Sequence, residues 1–229
     1  MGPVRPEQLV LVCGTGTEVG KTWVGARLLR ELRSQGLSVS ARKPAQSFDI
    51  DSEGARLGGA TDAEVLGSAS GEHPGVVCHP HRSYTRAMAP PMAAEALGLP
   101  AFSVADLVAE MDWPADQVTV GVVEMAGGVR SPQASDGDTT HVVAALEPDV
   151  IILVADAGLG TINAVRLCME ALRATPSGEG RRIVVVLDRF DGHHDIHRRN
   201  RQWLTERDHF EVVTLPGEEP RLADLVRAP

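Results

Sequence analysis

Nine residues, Gly14-Thr-Gly-Thr-Glu-Val-Gly-Lys-Thr22, carry the clearest chemistry in the chain. They follow an apolar run at 9–13 and precede a helical pattern at 23–35. A glycine loop between strand and helix curls its backbone N–H groups around an anion, and the helix start adds about half a positive charge. That combination binds nucleotide phosphates, so Gly16, Thr17, Glu18, Val19, Gly20, Lys21 and Thr22 are the expected nucleotide contacts. Lys21 is expected to reach the β- and γ-phosphates, and the Thr22 hydroxyl to ligate Mg²⁺. Five residues separate Gly14 from Gly20, one more than the common spacing.

Composition singles out a second cation. Of 22 basic residues only two are lysines, Lys21 and Lys43. A lysine kept where arginine is otherwise used acts as a compact point charge on a slim stem. Lys43 closes the second expected strand, in Arg42-Lys-Pro-Ala-Gln-Ser47, and is expected at the same phosphates; an ordinary solvated lysine is the plainer reading. Mg²⁺ needs acidic ligands beside the hydroxyl. Glu124 ends an apolar run at 118–123, Asp156 ends another at 150–155, and Asp62 opens a helix after Thr61. Each of the three also reads as a cap or a solvated carboxylate. His193, His194 and His197, like His79 and His81, invite a metal reading. Adjacent histidines on a helix face different ways, however, and nothing completes a tetrahedral set, so a surface loop and helix start is expected there.

The elements that must position these residues follow a simple alternation. Strands are expected at 9–13, 37–41, 118–123, 150–155, 183–187 and 210–215, and helices at 23–35, 61–69, 91–97, 103–111, 139–146, 162–174, 196–207 and 222–227. Thr61, Ser103 and Thr161 read as helix caps. Residues 46–60, 71–91 and 131–138 read as loops. β-Branched runs alternating with helices predict an α/β fold: a doubly wound, mostly parallel sheet with helices on both faces, as one domain over 1–229. The charged residues named above fall at strand carboxyl ends, the edge where such sheets bind ligands.

The whole chain bounds the rest. A net charge of −9 argues against nucleic-acid binding. Apolar runs of strand length predict no membrane span, and the first residues lack the apolar core of a signal peptide. Three scattered cysteines, Cys13, Cys78 and Cys168, fit a reduced cytoplasm.

With its additional residue, the glycine loop resembles that of the dethiobiotin synthetases, enzymes of P-loop NTPase type. Lys43-Pro44-Ala-Gln-Ser47, Thr61-Asp62, Ala87-Met-Ala-Pro-Pro-Met-Ala-Ala-Glu95, Val123-Glu-Met-Ala-Gly-Gly128 and Asp156-Ala-Gly-Leu-Gly-Thr-Ile-Asn163 are similar to the family's motifs, in family order, to about residue 204. The resemblance implies an ATP-dependent cyclo-ligase. One amine of 7,8-diaminopelargonate takes up CO₂ as a carbamate, the carbamate attacks the γ-phosphate, and the second amine closes a cyclic urea. It implies Mg²⁺ on Thr22, Asp62 and Glu124, and catalytic charge stabilisation by Lys21 and Lys43. Thr17, Ser47 and the Gly127 and Gly128 amides would surround the carbamate. Thr161, Ile162 and Asn163 would bind the substrate carboxylate across a homodimer interface.

Three departures from the family pattern matter. Met125 stands where the family has glycine and is strained if that φ is positive. Asp188 stands at an adenine-reading asparagine and, ionised, can only accept hydrogen bonds. Pro216, Gly217 and Glu218 are taken as the base loop in a segment that matches poorly. A diverged P-loop ATPase or ligase with another substrate, or a regulatory nucleotide switch, stays open as the alternative. A partitioning-type ATPase usually carries a second lysine five residues before the loop lysine, where this chain has Gly16.

Overall fold

The structure is a computed structural model describing residues 4–175 and 180–227. Six strands form one parallel sheet: β1 (Gln8–Gly14), β2 (Val39–Arg42), β3 (Val120–Glu124), β4 (Val150–Asp156), β5 (Arg182–Asp188) and β6 (Glu211–Thr214), in the spatial order β6-β5-β4-β1-β3-β2. β1 is therefore flanked by β3 and β4, with Leu11 opposite Val123 on one side and Ile151 on the other. Runs such as Val-Ile-Ile-Leu-Val in β4 are apolar without alternation because both faces are covered.

Alternate residues of each strand feed two cores. Leu9, Leu11, Ile151, Leu153, Val185 and Leu187 lie in one; Val10, Val12, Ile152, Val154, Val184 and Val186 lie in the other. The second core is roofed by α1 (Lys21–Ser34), α2 (Asp62–Ser70) and, at the end of the chain, the helix Glu219–Arg227. The first is roofed by α3 (Pro90–Ala96), α4 (Val104–Ala109), α5 (Thr139–Leu146), α6 (Thr161–Arg173) and α7 (Asp195–Glu206), so the Glu219–Arg227 helix is α8. The expected strands, their order of alternation and the eight helices are present, most with ends shifted by one to three residues.

Caps account for several of those ends. Thr61 accepts from the Glu64 amide while Glu64 returns to the Thr61 amide, a capping box that starts α2 at Asp62. Ser103 and Asp106 do the same for α4. At α6 the expectation fails. The N-cap is Gly160 in a left-handed turn (φ 88°), and Thr161 is the first helical residue, with its side chain buried.

Two expected loops hold more structure than their composition implied. In 71–91, His73 Nδ1 accepts from the Gly75 amide and starts one helical turn, Pro74–Val77. Ser83–Tyr84 then pairs in parallel with Gln46–Ser47, which fixes Ser47 at the start of the 46–60 loop. Residues 131–138 contain a small antiparallel pair, Pro132–Ala134 with Gly137–Asp138. No described helix is long and apolar enough to cross a membrane.

Candidate active site

Residues that follow β1, β2, β3 and β5 at their carboxyl ends line a cleft of about 1020 Å³, together with the start of α1. Gly20 makes the turn into α1 at φ 93°, and a Cβ there would stand 1.8 Å from Asp188 Oδ2. Only glycine fits, on both counts. Lys21 is the first residue of α1, buried, and its Nζ donates to the Gly16 carbonyl at 2.7 Å. Burial, and then the nearby Lys43, hold the Lys21 ammonium below its ordinary pKa. Thr17 and Glu18 are exposed at the cleft mouth, whereas Val19 turns its side chain towards the α1 core.

The acidic and basic residues converge one turn away. The Thr22 hydroxyl oxygen lies 2.9 Å from Asp62 Oδ1 and 2.8 Å from Glu124 Oε1, donating to one at a time. Lys43 Nζ donates to Glu124 Oε1 at 2.7 Å and lies 2.8 Å from Asp62 Oδ2. Glu124 is fully buried and Lys43 is 2 % exposed, so neither charge is solvated. Burial opposes the Lys43 charge, but Asp62 and Glu124 overrule it and raise its pKa. Lys43 lowers the pKa of Asp62, while burial lifts that of Glu124.

This donor set fits Mg²⁺. Glu124 Oε2 is buried without a hydrogen-bond partner, leaving an acceptor for a cation. Two carboxylates and one hydroxyl match an ion that takes few protein ligands and completes its shell with phosphate and water. Among the described residues no cluster of three or more histidine, cysteine and acidic side chains forms a metal site. Asp156 stands apart from this group, accepting from the Gly158 amide at 2.7 Å, and does not border the cleft.

Opposite the loop, Ser47 and Gly127 border the same cleft. Gly127 has φ 62°, and a Cβ on it would meet Ser131 Oγ at 2.6 Å. Gly128 is different: its amide donates to Ser131 Oγ at 2.9 Å and it does not border the cleft. That turn spends the amide expected to face the carbamate. Met125 is not strained. Its side chain is buried in the first core, and among the described residues the non-glycine positions with positive φ are Glu18, Glu147, Arg189 and His209.

The remaining expected residues lie outside the cleft lining. Asp188 is 3 % exposed, packed on Gly20, and burial raises its pKa. Thr161 is buried with an unpartnered Oγ1, Ile162 is partly buried and Asn163 is exposed, all at the α6 start. After β6, the Gly217 amide donates to Glu219, and the Glu218 carboxylate closes the turn by accepting from the Thr214 amide and Arg201. Pro216, like these two, does not border the cleft.

The sequence reading missed several cleft residues. Trp23 follows Thr22 and borders the cleft, backed by the Arg27 guanidinium at 4.5 Å from the ring centroid. Residues 87–90 form an apolar side, tied to Ser47 by its hydroxyl donating to the Met88 carbonyl at 2.7 Å. Ser131 and Arg189 also border the cleft. Only the segment 87–90 had a signal in the sequence, its proline-rich motif.

A phosphate loop between β1 and α1, with a lysine and a hydroxyl at the helix start and a carboxylate ending the neighbouring strand β3, defines a P-loop nucleotide-binding protein. A family model described as an AAA domain matches residues 8–228. The ATP-dependent dethiobiotin synthetase BioD of Haloferax mediterranei is 34% identical over 213 residues, 90% of this chain and 82% of that protein. Its namesake in Rhodococcus erythropolis is 35% identical over 171 residues, 73% and 70% of the two chains. That of Anaeromyxobacter dehalogenans is 38% identical over 165 residues, 71% and 70%. The chain belongs to the ATP-dependent dethiobiotin synthetase family. In fold alone it is similar to a plasmid partition protein from Borrelia burgdorferi, with TM-score 0.56 and 12% identity over 98% of this chain and 97% of that one. It is likewise similar to chloroplast FtsY from Physcomitrella patens, with TM-score 0.50 and 16% identity over 99% and 67%.

Proposed function

We propose that this chain is an ATP- and Mg²⁺-dependent ligase that converts 7,8-diaminopelargonate and CO₂ to dethiobiotin, the reaction for which its relatives are named. The observation that carries this is the convergence of Thr22, Asp62, Glu124 and Lys43 beside the phosphate loop, where the hydroxyl and the ammonium each contact both carboxylates at 2.7–2.9 Å. The nucleotide would bind with its phosphates on the amides of residues 16–22. Thr22, Asp62 and Glu124 would hold Mg²⁺, which would supply charge neutralisation to the phosphates.

One amine of the substrate attacks CO₂ and loses a proton, giving the carbamate. A carbamate oxygen then attacks the γ-phosphorus as the bond to ADP breaks. The second amine attacks the carbonyl carbon of this anhydride, phosphate leaves with the electron pair, the amine gives up a proton, and the ring closes. Each step needs alignment and charge stabilisation and no side-chain nucleophile. Lys21 and Lys43 are the cations available to the transferring group, with Thr17, Ser47 and the Gly127 amide around the carbamate. We further infer a homodimer, in which the α6 start of one protomer meets the substrate carboxylate held by its partner.

The test is nucleotide turnover with Mg²⁺ and bicarbonate, with and without the diamine, assaying the cyclic urea. Diamine-dependent phosphate release with equimolar product is expected. Nucleotide binding without diamine-dependent turnover would point instead to a regulatory switch or another substrate.

A further inference from the structure

β5 lies two strands away from β1, yet two consecutive residues at its end touch the phosphate loop. Asp188 packs on Gly20, as described. Arg189, next in the chain, donates from Nη2 to the Glu18 carbonyl at 2.8 Å, while its Nη1 lies 3.5 Å from Asp156 Oδ2 at the end of β4. The guanidinium thus spans the loop and two strand ends, and it borders the cleft. The two joined residues share a second property. Glu18 has φ 58° and Arg189 has φ 55°, both in the left-handed region that favours glycine. Residues persist there when their surroundings hold them. The loop carries one residue more than the common spacing between ends fixed by β1 and α1, and Glu18 makes a left-handed turn within it.

We infer that Arg189 is a positioning residue for the nucleotide phosphates: by holding the Glu18 carbonyl it fixes the turn that absorbs the additional residue, and so sets the direction of the loop amides that follow. This rests on the nucleotide-binding reading above. The planar fork suits the task, since one guanidinium reaches a carbonyl and a carboxylate together where a lysine ammonium presents a single point. Arg189 is a surface side chain at 60% exposure, so its removal leaves both cores untouched.

The test is a double-mutant cycle on MgATP affinity by calorimetry, with kcat and KM measured alongside and melting temperatures as a check on folding. Arg189→Ala is expected to weaken MgATP about 10-fold, with kcat at saturating ATP changed by less than about threefold. Arg189→Lys should restore only part of the loss. In a Glu18→Gly background, where the positive φ is adopted without strain and needs no clamp to offset it, Arg189→Ala should cost markedly less. Equal losses in the two backgrounds would mean a simple cleft cation and overturn the inference, as would unchanged affinity in Arg189→Ala. If the alanine variant melts early, Arg189→Lys decides: affinity equal to wild type overturns the idea. A wild-type chain with no MgATP affinity removes the nucleotide reading itself, a different failure.

Discussion

At the scale of single residues the site is dominated by charges that have no water to fall back on. Lys43 and Glu124 are both buried: Glu124 and Asp62 together hold the lysine charged, whereas Lys43 favours the ionised form of Glu124 and the neighbouring Asp62 carboxylate opposes it. Glu124→Gln should therefore cost about 3 kcal/mol in a urea melt, the low end for breaking a buried pair, because Asp62 still faces the lysine. Asp188 gives the pH dependence. Burial raises its folded pKa, so its neutral form is favoured in the fold. The associated stability is present below the ordinary aspartate value of about 4 and is lost as pH rises through the raised folded value. Asp188→Asn removes that loss. The variant should melt above wild type at neutral pH, with the difference shrinking in acid; equal melting temperatures at pH 7 would sink this reading. Competition binding of ATP and GTP to the same variant tests the base contact, with a sharper preference for ATP expected. What was legible here was local: loop glycines, Lys21 and Thr22 lie within one stretch, and Glu124 and Asp62 mark the end of a strand and the start of a helix. The Arg189 bond to Glu18 joins residues 171 apart, and no spacing rule reaches that far. The use of the Gly128 amide by Ser131 depends on a turn geometry that composition does not encode.

At the scale of elements, each functional group rests on a short connection held by a side chain elsewhere. Asn200 of α7 is buried and donates to the carbonyls of Ala157 at 2.9 Å and Gly158 at 2.7 Å, pinning the β4–α6 connection. Asn200→Ala should destabilise by about 1–3 kcal/mol, since two carbonyls lose their donor. It should also raise the KM for the diamine more than that for ATP, because the α6 start is loosened and the phosphate loop is not. Equal changes in both constants would count against the carboxylate assignment. The β-branched strands were readable because a strand buried on both faces leaves an unbroken apolar run. Residues 71–91 were not, because their turn and strand depend on a histidine cap and on pairing with Gln46–Ser47, both invisible to periodicity.

At the scale of the molecule, the parallel strands bring their carboxyl ends to one edge, so residues from 17 to 189 meet in a single cleft. Outside it, Leu159 is 90% exposed beside the α6 start, with Leu167 on the same helix and Trp203 on α7 also exposed. If a second copy covers these, the chain should sediment as two protomers. Leu159→Glu should then shift it towards one protomer and depress diamine turnover while MgATP binding persists. A variant that stays dimeric with full turnover would place the interface elsewhere. Finally, both lysines of this chain point inward, at the cleft, and arginine carries the rest of its positive charge. An amine-directed acylating reagent therefore finds no ordinary surface lysine to label. Beyond the terminal amine, its incorporation becomes a count of open clefts, and protection from it a direct titration of occupancy.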